Sequence, residues 1–200
     1  MRWLGTALVI GLATAAQADD FPGRFMVNDV ASDDRLNIRS EPNAGADIVG
    51  SYPPYALNIE VLGTTPDGRW GEVGFGEGNG WVAMRYLART PDESADEVPR
   101  PLICAGTEPF WSLGLFPRGD SFERAGEPRE PLSEIASARG ENGFVISFSG
   151  ETAGTSTLVV QRATCSDGMS DRIFGWAALL YKAGQETDTV FSGCCTFEGN

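Results

Sequence analysis

Histidine is absent from the 200-residue chain. That removes the commonest general base, the Ser-His-Asp arrangement and the commonest zinc ligand. Acid–base chemistry is left to carboxylates, tyrosine, Lys182 or a thiol. Cysteine is scarce, four residues with no C-x-x-C pair, so a thiolate zinc site is not expected, and nothing in the pattern calls for a metal or a cofactor. Positive charge is also short: 15 basic residues stand against 28 acidic, a net charge of −13. A chain this acidic repels phosphate backbones and anionic lipid, which argues against nucleic acid as a partner and favours solubility or a basic protein. Uninterrupted stretches of helix length are missing too. The 25 glycines and 12 prolines punctuate the sequence about every five residues, so the expected fold is all-β.

The N-terminus has its own signature. Arg2 precedes an apolar run from Leu4 to Ala13, and Ala16-Gln-Ala18 is a small-x-small cleavage site. Residues 1–18 read as a secretory signal peptide, with a mature chain beginning at Asp19. No cysteine lies near Ala18, so no membrane anchor is expected, and no other segment has the ~18 unbroken apolar residues of a span. The mature chain is expected to be soluble and exported.

Residues 21–90 form a first domain of short alternating runs between turns. Leu36 and Ile38 point inward and Asn37 and Arg39 outward. Ile48 to Tyr52 is a strand stopped by Pro53-Pro54, and Leu57 to Leu62 alternates again. Pro66-Asp-Gly68 is a turn in which Pro presets φ and Gly supplies a positive φ. Arg69 to Phe75 and Gly80 to Ala83 close the set as a hairpin. Five or six such strands predict a small barrel. Trp81 is expected in its core. Tyr55, Trp70 and Arg39 are the candidates for a shallow ligand groove. The residues Leu36-Asn-Ile-Arg-Ser-Glu-Pro42, Gly68-Arg-Trp-Gly-Glu-Val73, Gly80-Trp-Val82 and Tyr86-Leu87 resemble a bacterial SH3 domain. The resemblance implies an SH3-like barrel and, in a secreted protein, binding of cell-wall peptidoglycan or its stem peptides.

Residues 91–101 are acidic and proline-rich with almost no apolar content, which predicts an extended linker. Residues 102–197 form a second domain. Strands are expected over Phe110–Phe116, Ser121–Ala125, Pro131–Ala138, Phe144–Ser149, Thr155–Ala163, Ile173–Lys182 and Thr189–Thr196, as a closed or nearly closed antiparallel barrel. Trp176, Ala178 and Leu180 fall opposite Leu179 and Tyr181, which predicts burial on both faces there.

An even number of cysteines in an exported chain predicts disulfides. Cys194 and Cys195 point to opposite faces of a strand, so each suits a different partner among Cys104 and Cys165. Pairing 165 with 194 closes about 30 residues, worth ~3.6 kcal/mol, and pairing 104 with 195 about 92, worth ~4.6 kcal/mol. Loop entropy does not separate this from the swapped pairing. Three stretches of this domain, Gly106-Thr-Glu-Pro-Phe-Trp-Ser112, Cys165-Ser-Asp-Gly-Met-Ser-Asp171 and Phe191-Ser-Gly-Cys194, resemble a family of bacterial envelope proteins and lipoproteins with G-[NT]-E-P-F-W-S, C-x-D-G-M-S-D and L-x-G-C signatures. The resemblance implies an envelope β-barrel of unestablished activity and a Cys165–Cys194 bridge. A weaker similarity, in size, disulfide and Ser192-Gly193, is to small periplasmic lysozyme inhibitors.

Glu108, held extended by Pro109, is a candidate cleft carboxylate, against a turn role in which it accepts backbone N–H bonds. Asp167 and Asp171 are further ligand candidates. With Ser170 they do not match calcium-loop spacing, so turn and capping duty is expected. A glycosidase-like pair of Glu108 with Asp171 is not required by the spacing. These features point to a periplasmic, non-catalytic wall-binding module. The alternatives are an inhibitor of basic wall-lytic enzymes and a carboxylate-dependent wall hydrolase.

Overall fold

The computed structural model describes residues 21–90, 98–151, 154–183 and 187–197. Residues 1–18, where a signal peptide is expected, and residues 91–97 of the expected linker lie outside the described residues. The chain is all-β. Among the described residues the helical content is one 3-10 turn at Met84–Tyr86, and no helix is long and apolar enough to cross a membrane.

Seven strands form the first sheet: β1 (Gly23–Val27), β2 (Leu36–Arg39), β3 (Ile48–Tyr52), β4 (Ile59–Thr64), β5 (Trp70–Phe75), β6 (Gly78–Ala83) and β7 (Leu87–Arg89). Their order is β3-β2-β6-β5-β4-β1-β7, antiparallel at every pairing. Alternation does the sorting. Leu36, Ile38, Ile59, Val61, Val73 and Val82 turn to one face and join Phe25, Val27 and Tyr52 in a single apolar cluster. The Thr65–Gly68 turn forms as expected, with Gly68 N–H donating to the Thr65 carbonyl at 2.8 Å and Gly68 at φ 67°. One expectation fails. Trp81 is half-buried on the outer face, because its neighbours Gly80 and Val82 take the inward positions of β6. The core is filled by aliphatic side chains instead.

The second sheet is a closed eight-stranded antiparallel barrel. Its strands are β8 (Leu102–Thr107), β9 (Phe110–Leu115), β10 (Asp120–Arg124), β11 (Glu130–Gly140), β12 (Gly143–Gly150), β13 (Gly154–Ser166), β14 (Ile173–Lys182) and β15 (Thr189–Thr196). They close in the order β10-β11-β12-β13-β14-β15-β8-β9. The sequence pattern misses β8, because only Leu102, Cys104 and Gly106 turn inward there and two of these are not bulky. Trp111, Phe122, Phe144, Phe148, Leu158, Trp176, Leu180 and Phe191 pack together in the interior. Full burial of each such side chain is worth roughly 1.5–3 kcal/mol.

Two further expectations are corrected. Leu179 and Tyr181 are 52% and 42% exposed, so β14 buries only its Trp176, Ala178 and Leu180 face. A barrel strand has one side packed on the core, and at Leu179 and Tyr181 the other side stays largely open. The end of the linker is not a free spacer. Val98 is buried in the barrel core, and Arg100 pairs with Asp120 and, at 2.9 Å, with Glu134.

Both disulfides are formed. Cys104 and Cys195 are cross-strand partners inside the barrel, and Cys165 bridges to Cys194 on its outer face. These two bridges place the chain in an oxidising compartment outside the cytoplasm.

Candidate functional site

Three sequence-distant stretches meet on the outer face of the barrel. The register sets Gln161 opposite Ala177 and Ala177 opposite Cys194, which in turn faces Ala105. One row along, Val159 faces Leu179 and Leu179 faces Ser192. Beyond Cys194–Ala105 the β15–β8 ladder stops, and the indole Nε1 of Trp111 donates to the Ser192 carbonyl at 3.1 Å instead. Glycine is needed on both sides of this seam. A Cβ at Gly106 would collide with the Ser192 carbonyl and Trp111, and one at Gly193 with the Ala105 carbonyl.

Small side chains here leave a depression, and the segment after β13 walls it. The register shifts between Arg162 and Cys165, the Cys165–Cys194 bridge pulls the strand end over the outer face, and Thr107 Oγ1 donates to the Asp167 carbonyl at 3.0 Å. The result is a cleft of about 550 Å³ lined by Ala105 to Glu108, Val159, Gln161, Cys165 to Asp167, Ala177 to Leu179, Ser192 and Gly193.

Glu108 and Asp167, both singled out from the sequence, line this cleft; Asp171 does not. Glu108 is exposed, follows β8 and precedes a cis peptide bond to Pro109. No hydrogen bond or ion pair joins it to another described residue, so the turn role in which it accepts backbone N–H bonds is not seen. Asp167 does the turn work expected of it. Its Oδ1 accepts from the Met169 N–H at 3.0 Å and the Ser170 N–H at 2.9 Å, and Ser170 Oγ lies 3.1 Å away. The backbone N–H bonds from Met169 and Ser170 hold its carboxyl below the usual carboxylate range. Asp171 is exposed and is not part of the cleft lining, so it makes no carboxylate pair with Glu108 there.

The first sheet offers a second surface. Arg39 of β2 sits opposite Trp81 of β6, and Trp81 opposite Glu72 of β5. Trp70, opposite Ala83, is the next outward residue along β5. Arg39 and Trp70 thus share a face as expected, but Trp81 lies between them. The period-two pattern around Gly80 and Val82 carries the signal for that placement. Arg39 donates to the Ala46 carbonyl at 2.7 Å. Partial burial holds the Glu72 carboxyl above its ordinary value. Tyr55 is elsewhere on the β3–β4 connection, 70% exposed at φ 70°, and no hydrogen bond, ring contact or ion pair joins it to Arg39 or Trp70.

The sequence also gave no sign of the joint between the two sheets. Glu60 of β4 is buried there. One carboxylate oxygen accepts from Thr196 Oγ1 of β15, and the other has no partner among the described residues. Burial pushes its carboxyl up to about 7, against the opposing effects of the Thr196 bond and the Arg172 guanidinium.

No family model, curated protein or solved structure matches the chain.

Proposed function

We propose that this protein is a non-catalytic, wall-associated binding module of the bacterial periplasm, its first domain an SH3-like unit that holds wall peptide or glycan. The observation that carries the reading is the row Arg39, Trp81, Glu72 with Trp70 beside it. Two indoles stay half-exposed on a sheet whose inner face is already full. Tryptophan faces stack on sugar rings and aliphatic stems, and the flanking guanidinium and carboxylate match the charged ends of a stem peptide. Export through the residue 1–18 leader agrees with the two disulfides.

Retention of the full chain on purified sacculi tests this. Wild type is expected in the pellet, with W81A and R39A mostly in the supernatant. Wild type remaining in the supernatant, or W81A pelleting equally well, would reject it.

A further inference from the structure

We infer that the barrel's outer cleft receives a lysine or arginine side chain presented by a basic partner protein. The lining holds two carboxylates, Glu108 and Asp167, and no positively charged residue. Asp167 Oδ1 is engaged in its own turn by the Met169 and Ser170 N–H bonds, which hold the carboxylate in place. Glu108 is the carboxylate left for a ligand. The same lining includes Val159 and Leu179, 38% and 52% exposed. A long cationic side chain lays its aliphatic stem along such surface and sends its charged head to the rim. Thr107, Gln161 and Ser192 supply further acceptors.

The occupant follows from charge. A wall stem peptide carries carboxylates beside its amine, and the cleft has no cation to meet those carboxylates; Arg39 offers one only on the other sheet. A basic protein loop meets Glu108 directly and is drawn in by the −13 net charge of the chain. The volume of about 550 Å³ holds more than one side chain, which suits a loop better than a free amino acid. This inference stands apart from sacculus binding, since it uses neither Trp70, Trp81 nor Arg39.

The test is nuclear magnetic resonance titration of the full isotope-labelled chain with N-acetyl-lysine methylamide and its norleucine counterpart. It is paired with sensor binding to an immobilised lysine-rich protein. The lysine compound is expected to shift the amides of Thr107, Gln161, Leu179 and Ser192, and the norleucine compound to leave them in place. E108Q should weaken the lysine compound by about two- to five-fold, the range of a partly exposed charge pair. On the sensor, E108K should lose far more affinity than D171K, which changes net charge equally but lies outside the cleft. Equal shifts from norleucine, equal losses in E108K and D171K, or tighter cleft binding of an acidic wall tripeptide than of the lysine compound would each overturn the inference. Cleft binding without sacculus retention would leave it standing and remove the wall-binding reading instead.

Discussion

Asn79 clasps the backbone of Ile173. Its Oδ1 accepts from the Ile173 N–H at 2.7 Å, and its Nδ2 reaches the Ile173 carbonyl at 3.5 Å. The bond joins β6 of the first sheet to the first residue of β14 in the barrel. Beside it Arg172 lies against Gly74, where a Cβ would meet its Nε, and Pro22 and Leu62 close over Gly175. The segment that walls the cleft, from Cys165 onward, therefore ends bolted to the first sheet. Replacing Asn79 with Ala is expected to cost about 1–3 kcal/mol, the range for orphaning a part-buried amide partner. Hydrogen exchange at the Ile173 amide should speed up in N79A, while the Ile146 amide in the barrel wall keeps its rate. An unchanged Ile173 rate would show that the clasp is idle.

The buried Glu60 makes the same joint sensitive to pH. It faces Thr196 and Arg172 from the barrel, Arg24 from its β1 partner strand, and Tyr52, whose hydroxyl burial pushes up to about 12. Its folded-state carboxyl, at about 7, lies above its ordinary value of 4.5. The stabilisation it lends is therefore complete below about 4.5, where both states are protonated, and is lost as the pH rises through about 7. That loss is on the order of 3 kcal/mol. Glu60→Gln keeps an acceptor for Thr196 and carries no charge. The melting temperature of E60Q should exceed that of wild type at pH 8 by several degrees, with the gap closing at pH 4.5. A gap that does not depend on pH would refute the assignment.

Removing the two disulfides should have different consequences. Cys104–Cys195 is buried and spans 91 residues, whereas Cys165–Cys194 spans 29 and borders the cleft. The pair C104A/C195A should lose about 1 kcal/mol more than C165A/C194A on loop entropy alone, plus the cost of two holes in the core. Under mild reduction, alkylation mapped by mass spectrometry should label Cys165 and Cys194 first. Earlier labelling of Cys104 would contradict the burial assigned to it.

At the seam of the barrel, Trp111 replaces a missing ladder bond. Trp111→Phe leaves the Ser192 carbonyl without its donor and should cost about 1–3 kcal/mol in urea unfolding. Gly106→Ala should cost a similar amount by overpacking, because the new methyl meets backbone oxygen as well as the indole. A neutral G106A would mean that the seam is looser than the geometry indicates.

Much of the fold is written in period-two alternation. Leu36–Arg39, Ile48–Tyr52, Ile173–Lys182 and Thr189–Thr196 form strands at the boundaries the pattern predicts. At Leu132 and Ile135 the pattern is ambiguous. The register shift between Glu134 and Ala136 explains why: one extra residue breaks the alternation, burying Leu132 and leaving Ile135 58% exposed. Asp167 was legible as a turn residue because its hydrogen bonds are to its own neighbours. Trp81 was misplaced because size is a poor guide to facing when a glycine and a valine can hold the inward positions.

By itself the sequence determined the strand-rich architecture, the absence of histidine chemistry and the presence of bridges, since these depend on composition and on contacts close along the chain. Loop entropy left the cysteine pairing open, and only the motif resemblance pointed to Cys165 with Cys194; tertiary structure settled it, and alone decided that Glu108 and Ser192 border one cleft and that Glu60 is sealed between two sheets. The physical reason is separation. Residues 84 and 136 positions apart become neighbours only when barrel closure and sheet docking set the register, and no local periodicity encodes that.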